Sequence, residues 1–104
     1  MKAIKIKITS FVSDDQPGFV ECKLIDAWNK EHTFREKVPV VTEQSLDANT
    51  EYPKDGVIAC LVSREWKDKD GRLIFTVNTV EPWDITTNEG LTDFDLTQDQ
   101  LTEI

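Results

Sequence analysis

The stretch VIACLVSREWKDKDGRLIFTV, residues 57–77, decides how the rest of the chain is read. Its opening residues, Val57 to Val62, are apolar at every position, which predicts a short central strand covered on both faces. Lys67-Asp68-Lys69-Asp70-Gly71-Arg72 then breaks the pattern with charged turn residues, and Asp70-Gly71 supplies the positive φ that a tight hairpin needs. Antiparallel pairing about that turn sets Ile58, Cys60, Val62 and Trp66 on one face with Leu73, Phe75 and Val77. Ser63, Glu65 and Lys67 then share the opposite face with Arg72, Thr76 and Asn78. The expected product is a hairpin with one apolar layer.

Working outward toward the N-terminus, Ile4, Ile6 and Ile8 alternate with Lys5, Lys7 and Thr9, the period-two signature of a strand with one buried face. Ser13-Asp14-Asp15-Gln16-Pro17-Gly18 is a turn cluster, and a second strand follows from Phe19 to Ala27 with Val20, Cys22 and Leu24 on one face. Trp28-Asn29-Lys30-Glu31 reads as a hairpin, returning a third strand from His32 to about Lys37 through Phe34, and Pro39 marks its end. Thr42 to Ala48 has helix-forming residues behind a possible Thr42 cap and predicts a short helix. Toward the C-terminus, Pro82 closes the fifth strand, and Asp93-Phe94-Asp95-Leu96 alternates acids with apolar residues. Thr97-Gln98-Asp99-Gln100 has capping-box form and predicts a final helical turn through Leu101 and Ile104. The core is expected to comprise Ile6, Leu24, Phe34, Cys60, Val62, Phe75 and Val77.

These elements predict an all-β chain: a small antiparallel barrel or rolled sheet of five to six strands in the order β-β-β-short α-β-β. That order, over about Lys2 to Val80, resembles the five-stranded OB barrel, in which a helix separates the third and fourth strands. SH3-like barrels and small sandwiches of similar strand number fit the same order. At 104 residues the chain is expected to be a single domain, with a β-rich body over 1–80 and an acidic extension over 81–104.

Charge is the strongest pointer to a partner. Glu81, Asp84, Glu89, Asp93, Asp95, Asp99 and Glu103 lie in the extension with no Lys or Arg, so nearly all of the formal −8 sits there. A field of one sign attracts cationic surfaces and repels phosphate backbones. The N-terminal alternation of Lys and Ile is not a signal peptide, and no apolar run is long enough to span a bilayer. A cytoplasmic protein is expected. Cys22 and Cys60 stand alone inside apolar runs, which predicts small buried thiols rather than a metal or disulfide pair.

His32 is the sole histidine and reads as a surface-turn residue. Asp68-Lys69-Asp70-Gly71 mimics part of an EF-hand, but Trp66 and Val77 would fall where oxygen ligands are required. Gly-rich phosphate loops and zinc spacings are absent, so no cofactor, metal or enzymatic role is expected. Asp93 and Asp95, on one side of a strand, together with His32 form the only candidate for metal-assisted hydrolysis. Trp28, Trp66 and Trp83 near strand ends could stack single-stranded bases beside Lys2, Lys5, Lys7, Lys23, Arg64 and Arg72. Core packing is the default for at least two of the three indoles, and the acidic balance opposes phosphate binding. The expectation is therefore a non-enzymatic acidic protein that binds a basic protein partner, for example an immunity or antitoxin-type neutraliser of a nuclease. Its contact residues would be Asp84, Glu89, Asp93, Asp95, Asp99 and Trp83, with a single-stranded nucleic-acid module as the alternative.

Overall fold

The computed structural model describes Met1–Ile104. Its strands are β1 (Lys2–Ser13), β2 (Phe19–Ile25), β3 (Glu31–Lys37), β4 (Lys54–Ala59), β5 (Leu61–Lys67), β6 (Leu73–Asn78), β7 (Asp93–Leu96) and β8 (Leu101–Glu103). One helical turn, α1 (Val38–Val41), follows β3, and a 3₁₀ turn at Gln98–Gln100 precedes β8. The first sheet runs β3-β2-β1-β4 with β8 on the start of β1, and the second runs β5-β6-β7. Every pairing is antiparallel, as the sequence predicts, while the two ladders do not join into a closed barrel.

Alternation along β1 organises the first sheet. Ile4, Ile6 and Ile8 are buried, whereas Lys5 and Lys7 point outward. The same parity continues through Val20, Cys22 and Leu24 on β2 and Phe34 on β3, since Cys22 lies opposite Phe34. Val77, Phe94 and Leu96 from the second sheet complete one core cluster with these residues. Gly56 on β4 lets the layers close up: a Cβ there would meet Ile6 Cδ1, Ile8 Cδ1 and the Val41 carbonyl at 2.9 Å each, closer than packed atoms approach. Both thiols are buried within this cluster, Cys22 pushed up to about 12 and Cys60 to about 11, principally by desolvation.

Several expectations are corrected. The helix falls at Val38–Val41, not Thr42–Ala48. Pro39 has no N–H to satisfy and suits a first helical turn, and Val38 and Val41 bury into the core from it. Beyond Thr42, polar side chains take the backbone instead: Gln44 N–H donates to Thr42 Oγ1 at 3.1 Å and Asn49 N–H to Asp47 Oδ1 at 2.8 Å. Val57–Val62 is not a central strand. It crosses from one sheet to the other at Cys60, and β4 and β5 each pair on a single flank. Ile58, Ala59 and Cys60 are buried at the crossing, whereas Leu61 and Val62 are exposed, Val62 by 36%. Phe75 is half-buried against the core rather than inside it.

The face assignment changes beyond Val62. The β5–β6 register slips between Val62 and Arg64, so Ser63 is an extra residue and every later side chain of β5 changes sides. Trp66 consequently lies opposite Ile74, on the face of Arg64 and Thr76 and away from the main core. The acidic extension is woven in, giving β7 to the second sheet and β8 to the first. Thr97 N–H donates to Gln100 Oε1 at 3.0 Å, as a capping box requires, but the turn ends there. Leu101 returns to extended geometry and pairs with Ile4. No helix is long and apolar enough to cross a membrane.

Candidate functional site

The outer face of the second sheet carries the most organised group of polar and aromatic side chains. Arg64 and Thr76 are cross-strand partners, and Thr76 lies opposite Asp95, so β5, β6 and β7 each place one residue in a single row. Trp66 follows Arg64 on the same face, and Trp28 reaches it from the β2–β3 turn. The two indoles stand 6.2 Å apart and are tilted by 39°. Arg64 lies over Trp66 at 4.8 Å and Arg72 over Trp28 at 5.2 Å, giving a ladder Arg64–Trp66–Trp28–Arg72. Cation–π contacts of this kind contribute roughly 0.5–1 kcal/mol at exposed sites.

One carboxylate orients both rings. Trp28 Nε1–H donates to Asp95 Oδ2 at 3.0 Å, and the Thr76 hydroxyl donates to Asp95 Oδ1 at 2.5 Å. The same Thr76 oxygen accepts from Trp66 Nε1–H at 3.0 Å. At the far end, Arg72 Nε–H donates to Asp68 Oδ2 at 3.1 Å, while Asp68 Oδ1 accepts the Asp70 and Arg72 amides at 2.9 and 2.8 Å. Burial would raise the Asp68 carboxyl, but these donors and the Arg72 charge hold it below the usual carboxylate range. Arg64 makes no ion pair, and its guanidinium is held by stacking on Trp66.

Beneath the ladder, Asp26 fixes the turn that presents Trp28. Its Oδ1 accepts the Trp28 and Lys30 amides at 2.8 and 3.0 Å, and Oδ2 lies 2.7 Å from His32 Nε2. An ionised carboxylate only accepts, so the imidazole donates. Burial raises the Asp26 carboxyl, but His32 and the two amides outweigh it and keep the group below its ordinary range. Asn29 supplies the positive φ of 62° in this turn, and Ala27 N–H donates to the Asp95 carbonyl at 2.9 Å. His32 is therefore buried rather than on a surface turn, with its ring centre 5.0 Å from that of Phe94 and the two planes inclined at 73°.

The predicted contact residues do not gather into one patch. Asp93 and Asp95 share the outer face of β7, where Asp93 accepts from Asn78 Nδ2 at 2.7 Å. Asp84 and Trp83 lie in the loop after β6, Glu89 at an exposed turn, and Asp99 in the 3₁₀ turn. The Thr97 hydroxyl, with Lys5 as a lesser influence, holds Asp99 below the usual carboxylate range. His32 packs on Phe94 at the inner face of β7, opposite to Asp93 and Asp95, so that trio does not converge, and no group of three His, Cys, Asp or Glu is arranged to hold a metal. None of the three tryptophans is in the core: Trp28 is 48% and Trp83 64% exposed, and Trp66 is half-buried. Lys7 is engaged by Asp55, and Lys23 by Glu31 at 3.3 Å and Glu21 at 3.7 Å, which neutralises much of the cationic face of the first sheet.

The sequence does not disclose the ladder because its members are far apart and the slip at Ser63 inverts the side of Trp66. Asp26-x-Trp28-Asn29 was the available local signal, an acid two residues before an indole in a turn. Comparisons with protein-family models, curated proteins and solved structures find no match.

Proposed function

We propose that the chain is a non-enzymatic protein-binding module that docks a basic partner, such as a nuclease neutralised by an immunity-type protein, through the outer face of its second sheet. The carrying observation is the ladder Arg64–Trp66–Trp28–Arg72, held from below by Asp95. Tryptophan and arginine are the side chains most often found to dominate protein–protein contacts, and rings fixed beforehand lose little freedom on binding. The net charge of −8 supports fast encounter with a cationic partner.

A single-stranded nucleic-acid module on an OB-like framework is the second candidate, favoured by two adjacent indoles between two arginines. Each indole already carries a guanidinium, however, Arg64 on Trp66 and Arg72 on Trp28, so a base would have to compete for ring surface. The acidic balance also leaves few counterions to release.

The test is quantitative capture of host proteins on the immobilised chain, compared with Arg64→Ala and Trp66→Ala. A basic protein should be retained by the parent and weakened about 30-fold or more by Trp66→Ala, the size of a contact worth about 2 kcal/mol. Retention should also fall as salt rises. Equal retention by both variants refutes the docking face. Micromolar binding of a single-stranded oligonucleotide at physiological salt, lost in Trp66→Ala, establishes the second candidate instead.

A further inference from the structure

Trp83 is the most exposed large aromatic side chain, at 64%, yet the loop that carries it is held by its own hydrogen bonds. Val80 N–H donates to Asn78 Oδ1 at 2.9 Å, Asp84 N–H to the Val80 carbonyl at 2.7 Å and Ile85 N–H to the Thr79 carbonyl at 2.9 Å. The Thr79 hydroxyl donates to the Ile85 carbonyl at 2.6 Å, and Thr79 and Ile85 are buried beneath. Asp84 takes a φ of 53°, which is unfavourable for a residue with a Cβ and is held by these bonds. The indole is thus displayed by a fixed loop instead of being left over by a loose one.

Trp83 forms one wall of a groove of about 490 Å³, whose other walls are α1 (Pro39, Val40, Val41), Val57 of β4 and Ile104. Glu43 stands in the lining, Glu81 and Asp84 flank Trp83 in the chain, and no Lys or Arg lines the groove. We infer that this groove docks a short segment of a partner protein in which apolar and basic side chains alternate. Its apolar side chains fill the space against Trp83, Val40 and Val57, and its cations meet Glu43, Glu81 and Asp84. The walls offer apolar surface to several side chains, which a lone ion could not use. Glu43 in the lining, the acids beside Trp83 in the chain and the net −8 disfavour nucleic acid, an acidic peptide and a second copy of this chain alike. The inference rests on the chain being a protein-binding module, and the groove shares no residue with the ladder.

The test uses ¹⁵N-labelled full-length protein, with the three indole Nε1–H resonances assigned by single Trp→Phe variants. The probes are capped Arg-Leu-Arg-Leu-Arg, Arg-Gly-Arg-Gly-Arg and Glu-Leu-Glu-Leu-Glu peptides. The first should shift the Trp83 indole and the Val40 and Val57 amides saturably, with affinity at least tenfold above either control. Trp83→Ala, followed at the Val40 and Val57 amides, should abolish the shift, and the Glu43→Gln/Asp84→Asn double variant should weaken it tenfold. No saturable shift below about 1 mM, the edge of specific recognition, overturns the inference. Equal binding of either control, shifts at the Trp28 and Trp66 indoles in place of Trp83, or concentration-dependent shifts without peptide also overturn it. Trp66→Ala should leave the Trp83 shift intact, so loss of the ladder's partner and loss of the groove's peptide are separate outcomes.

Discussion

Removing the Asp26 carboxylate should loosen the turn beneath Trp28, at a cost calculable from its partners. Asp26 accepts two backbone amides and the buried His32 imidazole, and its side chain is nearly inaccessible to water. Alanine leaves all three donors without their acceptor. An unsatisfied buried donor costs about 1–3 kcal/mol, and three donors lose one charged acceptor at once, so Asp26→Ala should cost about 3–5 kcal/mol at neutral pH. Asparagine keeps an oxygen for the two amides and loses the charge-assisted bond, predicting about 1.5–3 kcal/mol. The assay is urea unfolding followed by tryptophan fluorescence and circular dichroism across pH. Asp26 has a depressed folded-state pKa, so its contribution is complete above the unfolded value near 3.9 and is lost as pH falls through the lower folded value. The stability of the parent should therefore converge on that of Asp26→Asn only in that acidic window. A cost for Asp26→Ala below about 1 kcal/mol at neutral pH, the range of surface substitutions, would refute the reasoning. A gap between parent and Asp26→Asn that closes well above the carboxylate range would refute it too.

Phe34→Ala should cost about 3–5 kcal/mol in the same unfolding assay, whereas Val62→Ala, on an exposed edge, should cost less than about 1 kcal/mol. Thr76→Val removes the oxygen joining Trp66 to Asp95 and should red-shift tryptophan emission with a stability loss of about 1 kcal/mol. Cys22 and Cys60, their thiols pushed up to about 12 and about 11, should resist alkylation in the folded protein at mildly alkaline pH and react rapidly in denaturant. Labelling of either thiol at equal rates in both states would contradict their burial.

What could be read from the sequence was what depends on neighbours in the chain. The Ile4–Ile8 alternation, the Pro17-Gly18 and Asp70-Gly71 turns and the parity of Asp93 to Leu96 all appear in the structure as expected. Information failed where one residue altered a phase or where distant groups met. Ser63 adds one residue to β5 and thereby moves Trp66 across the sheet, a change that no local pattern records. The apolar run Val57–Val62 has the composition of a central strand because its middle is buried by two sheets in turn. His32 reads from its neighbours as a surface-turn residue, yet its bond to Asp26, six residues away, makes burial tolerable for both. Of the residues expected to contact a partner, only Asp95 proved to organise the ladder, through bonds to Trp28 and Thr76 that come from other strands and turns.

The placement of β8 has a kinetic consequence. Lys2, Ala3 and Ile4 of β1 lie opposite Glu103, Thr102 and Leu101 on one edge, β2 pairs further along from Lys7 to Ser13, and β4 pairs along the other edge from Ala3 to Ile8. The strand that organises the first sheet therefore acquires one of its partners only after Leu101–Glu103 have been synthesised. Closing a loop across almost the entire chain costs entropy before the contact returns any free energy, so this pairing belongs late on the folding path. During synthesis, the start of β1 would carry an unpaired strand edge until the ribosome had passed Glu103, and that interval is when the protein is most open to pairing with another nascent chain.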